Sequence, residues 1–296
     1  MNGGGRVFRC GTIEIHRVTE TLGPAFSPLR LFPESTPAMI ERHLDWLSPN
    51  HYCVARRRLV MATHAWVIRT ARHTVVVDTC VGNHKHRPAS PGVDGLDTPW
   101  LDRLAEAGVR PEDVDYVLCT HLHADHVGWN TRLDDGRWVP TFPRATVICS
   151  RRELETAERA ALAGRADTDD AAVWFDSIVP VRDAGLLRTV DGRFALEPGL
   201  GLEPAPGHTP GNVVVRVESG SASALLAGDV CHHPLQVHHP ELNSCFCADP
   251  VEARSTRLRL LAECAQRGSL LMPAHWGAPF AAGIRARPGG FTLAWP

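Results

Sequence analysis

Six consecutive residues, His121-Leu122-His123-Ala124-Asp125-His126, carry three imidazoles and a carboxylate in the pattern H-x-H-x-D-H. These donors suit Zn²⁺ and related first-row ions. His121 and His123 are two apart, so an extended or tightly turning backbone points both the same way. Asp125 and His126 lie past a turn and can reach a second ion. One short loop can thus serve two metals, which demands a rigid scaffold beneath it. At this chain's residue frequencies, on the order of 0.003 accidental matches are expected, so the pattern is treated as a site.

The remaining sequence supplies such a scaffold. The apolar, β-prone run Val114–Thr120 reads as a buried strand delivering the histidines at its carboxyl end. Pro206-Gly207-His208-Thr209-Pro210-Gly211 sets another histidine in a turn, ahead of the alternating strand Asn212–Val217. Ala224–Ala227 is apolar and ends in Gly228-Asp229, and Leu270–Ala274 ends in His275-Trp276. Each repeats one design: a hydrophobic strand, then a ligand-type residue at its exit, where the backbone holds it rigidly.

These residues resemble the metallo-β-lactamase superfamily of metallohydrolases, over nearly the whole chain from about Ile13. The resemblance implies that His121, His123 and His208 hold one metal, that Asp125, His126 and His275 hold a second, and that Asp229 bridges them. It implies an α/β (α+β) fold of αββα sandwich type, with two mixed β-sheets flanked by helices. A redox di-iron branch would place a glutamate at position 123, so the histidine there favours hydrolysis. The stretches THLHADHVGWN, GDVCHHP and PAHW resemble the lactonase and organophosphate-hydrolase-like branch. There is one departure. The acyl-homoserine lactonases set a tyrosine beside the metals, whereas the two tyrosines here are Tyr52 and Tyr116, neither between His126 and His208.

Composition sets the remaining bounds. Hydrophobic content of 44% with 22% charged residues is that of a soluble globule. A formal charge of −2 gives no reason to expect nucleic acid or an anionic membrane surface. The start, MNGGGRVFRCGT, lacks a signal peptide's apolar core, and no apolar run approaches a membrane span. A single domain over 1–296 with an N-terminal extension, located in the cytoplasm, is expected, and a homodimer is left open. The nine cysteines show no disulfide framework and read as free thiols. Cys245-x-Cys247 lacks a second cysteine pair and is not counted among the ligands. Helices are expected over Asp97–Ala107, closed by Gly108, over Arg151–Leu162, and from Pro250 to about Arg267, with Asp249 as N-cap and Gly268 after the end. Pro24–Pro37 and Val81–Pro99 read as long loops.

The expected chemistry is that of a dinuclear hydrolase. Two ions, Zn²⁺ by default with Mn²⁺, Fe²⁺ or Co²⁺ as alternatives, would share a bridging hydroxide and polarise a carbonyl or phosphoryl oxygen. Asp125 is the candidate catalytic residue, as ligand and proton shuttle. Trp129, Asn130, His232, His233 and Trp276 follow the ligands in sequence and Trp66 heads a strand, and all six are candidates for a small-molecule pocket. The bond is read as a lactone or ester. A thioester, β-lactam or phosphotriester is the alternative, and a non-hydrolytic metal or redox protein the third reading.

Overall fold

Two large mixed sheets and a set of helices make up the protein, seen in a computed structural model that describes residues 7–163 and 169–296. Residues 1–6, and with them part of the expected N-terminal extension, lie outside the described residues. The eight-stranded sheet runs in the order Val7–Cys10, Ile13–Pro24, Arg58–Arg69, Thr74–Val77, Tyr116–Leu118, Thr146–Ser150 and Leu187–Val190, with Tyr52–Cys53 paired to Arg58–Arg69. The seven-stranded sheet runs Phe194–Glu197, Leu200–Pro204, Val213–Ser219, Ala222–Gly228, Leu270–Pro273, Ala282–Arg287 and Gly290–Ala294. The chain divides into two compact units, Met1–Glu20 with Thr63–Phe194, and Thr21–Ala62 with Ala195–Pro296.

In the first unit, Tyr116–Leu118 pairs in parallel with Thr74–Val77 on one side and Thr146–Ser150 on the other. A central parallel strand is buried on both faces and must be apolar throughout; Val117 and Leu118 are fully buried. Parallel neighbours also end at the same edge, so Asp78 and the His121 loop leave the sheet together. Trp100, Leu104, Val117, Trp129, Val147 and Trp174 belong to the core of this unit.

The second unit repeats the device. Ala222–Gly228 pairs in parallel with Leu270–Pro273, so Asp229 and His275 leave its sheet at one end. Its core includes a cluster around Val214, Leu225, Leu261, Leu271 and Trp276 and another around Leu31, Phe32, Leu47, Leu59 and Leu242.

Local signals place the helices. Arg151–Leu162 is helical as expected, and Ser150 Oγ accepts from Glu153 N–H at 3.0 Å. Pro250–Arg267 starts under the Asp249 carboxylate, which accepts from Val251 and Glu252 N–H, and stops at Gly268 in the left-handed region (φ 66°). The helix expected from Asp97 begins only at Trp100, because Asn83 holds the residues before it. Its side chain donates to Asp97 Oδ1 at 3.1 Å and accepts from Thr98 N–H at 2.8 Å. Pro24–Pro37 is not wholly loop: Ser27 caps a short helix, Pro28–Leu31.

The segment Val81–Pro99 contains no helix or strand but is tied down from within. His84 and His86 face out, whereas Lys85 and Arg87 between and after them are fully buried. Arg87 makes a bidentate pair with Asp176 at 2.7 and 2.9 Å. Lys85 Nζ donates to Thr131 Oγ1 (2.6 Å) and Asp176 O (3.0 Å), and stands 3.5 Å from the centroid of the Trp138 ring. Burial pushes the Lys85 ammonium down to about 7, against the pull of Asp176. Asp176 sits in the π-helical turn Trp174–Ile178 and faces two buried cations. Removing the anion from such a cluster leaves uncompensated charge. Asp176→Asn is therefore expected to cost about 3–5 kcal/mol of unfolding free energy, read from the denaturant midpoint; a loss below about 1 kcal/mol would mean that the two cations are solvated.

Candidate metal centre

The ligand loop of the first unit is built around Asp78. Its Oδ1 accepts from Thr120 N–H at 2.7 Å. Its Oδ2 accepts from Thr120 Oγ1 (2.8 Å) and lies 2.9 Å from His126 Nδ1. That bond places the His126 proton on Nδ1 and leaves Nε2 as the donor atom for a metal. His121 is set the same way, with Nδ1 lying 3.1 Å from Thr120 Oγ1. His121 Nε2 and His123 Nδ1 then lie 3.1 Å apart. Two nitrogens each about 2.0–2.1 Å from one tetrahedral ion would be about 3.3 Å apart, so the pair fits a shared ion. The Asp125 carboxylate reaches His126 Nε2 at 3.6 Å. His121 and His126 are buried, while His123 and Asp125 are half-buried.

Two further carboxylates brace this loop. Glu153 Oε1 accepts from Leu122 N–H at 3.1 Å, between the first two histidines. Glu20 accepts from Val81 N–H (2.8 Å), Gly82 N–H (3.1 Å) and Trp129 Nε1–H (2.7 Å). Burial raises its pKa, and the three donors partly offset that. Gly128, just past the loop, lies against this segment so closely that a Cβ would collide with the Val81 carbonyl.

In the second unit Asp229 is the hub. Its Oδ2 lies 3.3 Å from His208 Nε2 and its Oδ1 lies 3.0 Å from His275 Nε2, so each oxygen meets a different imidazole. That disposition suits a carboxylate shared between two ions. His275 Nδ1–H donates to Ala62 O at 2.8 Å while Ala62 N–H donates to His275 O at 3.0 Å, a two-way clasp that again leaves Nε2 for a metal. His208 rides on a turn packed against the start of the Pro250–Arg267 helix. Gly207 (φ 127°) is required there, since a Cβ would meet the backbone of Ala253. Arg257, fully buried, donates to the carbonyls of Val230, Pro240 and Leu242 and so holds the stretch that follows Asp229.

The sequence candidates for the pocket divide. His232 lies beside the hub, with Nε2 3.2 Å from Asp229 Oδ2 and its ring 4.9 Å from that of His208. It is buried, and Nδ1 has no hydrogen-bond partner among the described residues. His233 is spent on its own unit: Nε2 lies 2.9 Å from His51 O, and Nδ1 accepts from Leu235 N–H. Trp129 donates to Glu20, as described, and Asn130 Oδ1 accepts from Thr79 Oγ1 at 2.9 Å. Trp66 is buried against Phe8 and His64, and Trp276 lies in the second unit's core. Sequence reading did not single out Asp78, Glu153 or Glu20 as parts of the site. Asp78 does follow the same strand-then-acid pattern as the ligands, and that was the available signal. All nine cysteines are free.

The donor set of each unit, imidazole and carboxylate with outer nitrogens already engaged, fits divalent first-row ions. Comparison with known proteins agrees. Residues 58–275 match the model of the metallo-beta-lactamase superfamily, and the chain belongs to that superfamily. It is an enzyme, a metal-dependent hydrolase. It is similar to the N-acyl homoserine lactonase AiiB of Agrobacterium fabrum (strain C58 / ATCC 33970), 26% identical over 204 residues, covering 63% of this chain and 69% of the relative. An N-acyl homoserine lactonase of Bacillus sp is 28% identical over 194 residues, covering 62% and 69%. In fold it is similar to AidC, a dizinc quorum-quenching lactonase (TM-score 0.80, 19% identity, 99% of this chain and 97% of that one). The hydrolase AbOPH gives a TM-score of 0.79 at 22% identity, covering 100% and 98%. Among the described residues no helix is long and apolar enough to cross a membrane.

Burial holds the His233 imidazole down to about 4 and that of His51 down to about 3. An unfolded histidine titrates near 6.5. Between those values the unfolded chain binds more protons, so stability present above about pH 6.5 is lost as the pH falls toward about 4. In metal-free protein, His233→Gln is expected to flatten that loss by up to about 1.4 kcal/mol per pH unit. Parallel stability curves for the two proteins would place the proton uptake elsewhere.

Proposed function

We propose that this hydrolase opens the lactone or ester bond of a small molecule at a centre of two Zn²⁺ ions. On the superfamily resemblance, His121, His123 and His208 would hold one ion, Asp125, His126 and His275 the other, and Asp229 would be common to both. The observation that carries the reading is the donor arrangement at Asp229 and at the His121–His123 pair, each oxygen or nitrogen placed at coordination spacing from its neighbour. The lactone class is supported by the N-acyl homoserine lactonases among the relatives.

Two such ions, when bound, supply Lewis acidity and lower the pKa of coordinated water toward about 7. The chain does the rest. Asp78, Thr120 and Ala62 fix the ligand tautomers, so no proton must move before coordination. Asp125, half-buried, keeps access to solvent and can take a proton and pass it to the departing alkoxide. His232 is the buried polar group beside Asp229 with a ring nitrogen to spare, and it orients the carbonyl of the substrate. Burial lowers the pKa of its imidazole, with Asp229 pulling the other way.

Turnover of lactones, aryl esters, thioesters, β-lactams and phosphotriesters by the purified, metal-loaded protein tests the substrate class. Lactones are expected to give the highest kcat/KM, and turnover of another class with none of lactones would overturn it. Elemental analysis is expected to give about two ions per chain. Asp229→Ala should lose activity and retain fewer ions; full stoichiometry with preserved turnover would remove Asp229 from the centre. Asp125→Asn, with both ions retained, should lower kcat by about 10²–10⁴-fold. The drop should be larger for alkyl esters than for nitrophenyl esters, whose leaving group needs no proton. Equal losses on both would leave Asp125 a ligand alone.

A further inference from the structure

An imidazole that binds a metal through Nε2 carries its proton on Nδ1, and a partner for that proton fixes the ring. Thr120 Oγ1 serves His121, Asp78 Oδ2 serves His126 and the Ala62 carbonyl serves His275. At the corresponding place, His208 Nδ1 faces a sulfur, Cys247 Sγ, at 3.8 Å. We propose that Cys247 is the positioning residue of His208, holding its ring so that Nε2 is presented to the metal; this rests on the dinuclear reading above.

The backbone supports the assignment. Ala248 N–H donates to His208 O at 2.9 Å and Asp249 N–H donates to Gly207 O at 2.9 Å, so the residues after Cys247 are laced to the turn that carries the ligand. Cys247 N–H donates to Ser244 O at 3.1 Å, and Asp249 is at the same time the cap of the long helix. The sulfur is thus set by the same few residues that set His208. A thiol is a weak, long-reaching acceptor, which makes this the softest of the four outer contacts. Cys245, two residues earlier, is exposed and tied by its N–H to Leu31 O, on a different contact.

Chelator competition on the metal-loaded protein tests the proposal. Cys247→Ala is expected to weaken retention of one ion by about 10–100-fold, the usual cost of removing an outer partner. Cys247→Ser, which keeps an acceptor on a shorter arm, should recover part of that loss, and Cys245→Ala should match the wild type. The metal-free Cys247→Ala variant should melt where the metal-free wild type does. Wild-type affinity in Cys247→Ala would overturn the proposal. So would an equal fall in melting temperature with and without metal, which would make the role structural. Thiolate-to-metal charge-transfer absorption in the Co²⁺-loaded wild type would overturn it in another way, by making Cys247 a ligand itself. Failure of the wild type to hold any ion in the same titration would instead refute the dinuclear reading.

Discussion

The carboxylate of Asp78 is the contact on which the ligand loop of the first unit turns. It accepts the Thr120 amide and hydroxyl and stands against the His126 ring. Through Thr120 it also governs His121. A loop that must present several lone pairs to metal ions has two ways to fail, a wrong tautomer or a wandering ring, and one buried anion prevents both. Asp78 can do this because its strand and the strand before His121 pair in parallel and end together. Sheet register, one carboxylate and two ring protons form a single chain of cause.

The same economy recurs in the second unit with different parts. There a backbone carbonyl, Ala62 O, does for His275 what a side chain does for His126. A carbonyl cannot be substituted away, so this part of the centre is protected by the fold itself. The buried guanidinium of Arg257 extends the principle to the stretch after Asp229, where it collects the carbonyls of Val230, Pro240 and Leu242.

What the sequence disclosed follows from how far apart the interacting residues are. The H-x-H-x-D-H loop, the Asp249-Pro250 start and the Gly268 stop are local, and their chemistry is legible within a few positions. The strand-end candidates His208, Asp229 and His275 stood out because each repeats one pattern. Lys85 and Arg87 did not: they lie in a stretch that reads only as a long loop, and the anion they meet, Asp176, is 89 residues from Arg87. Glu153 was hidden differently. It occupies the third position of a helix, where a glutamate reads as half of a capping box, and that local pattern says nothing of the Leu122 N–H its carboxylate accepts. Trp129, Asn130 and His233 were singled out for nearness to ligands in the chain, but nearness in sequence says nothing of which way a side chain faces, and their polar atoms are engaged internally.

The parallel pairing of Ala222–Gly228 with Leu270–Pro273 bears on how such a protein can change over time. The sheet acts as a ruler: Asp229 follows one paired strand directly, and His275 stands two residues past the end of the other. Everything threaded between, including the helix Pro250–Arg267, is measured from the sheet and not along the chain. Insertions and deletions there leave the spacing of Asp229 and His275 to the sheet, whereas those between Cys247 and Ala253 would shift the turn that carries His208. A single residue gained between Pro273 and His275 would do what residues far from the strand end cannot, moving the imidazole off its clasp with Ala62.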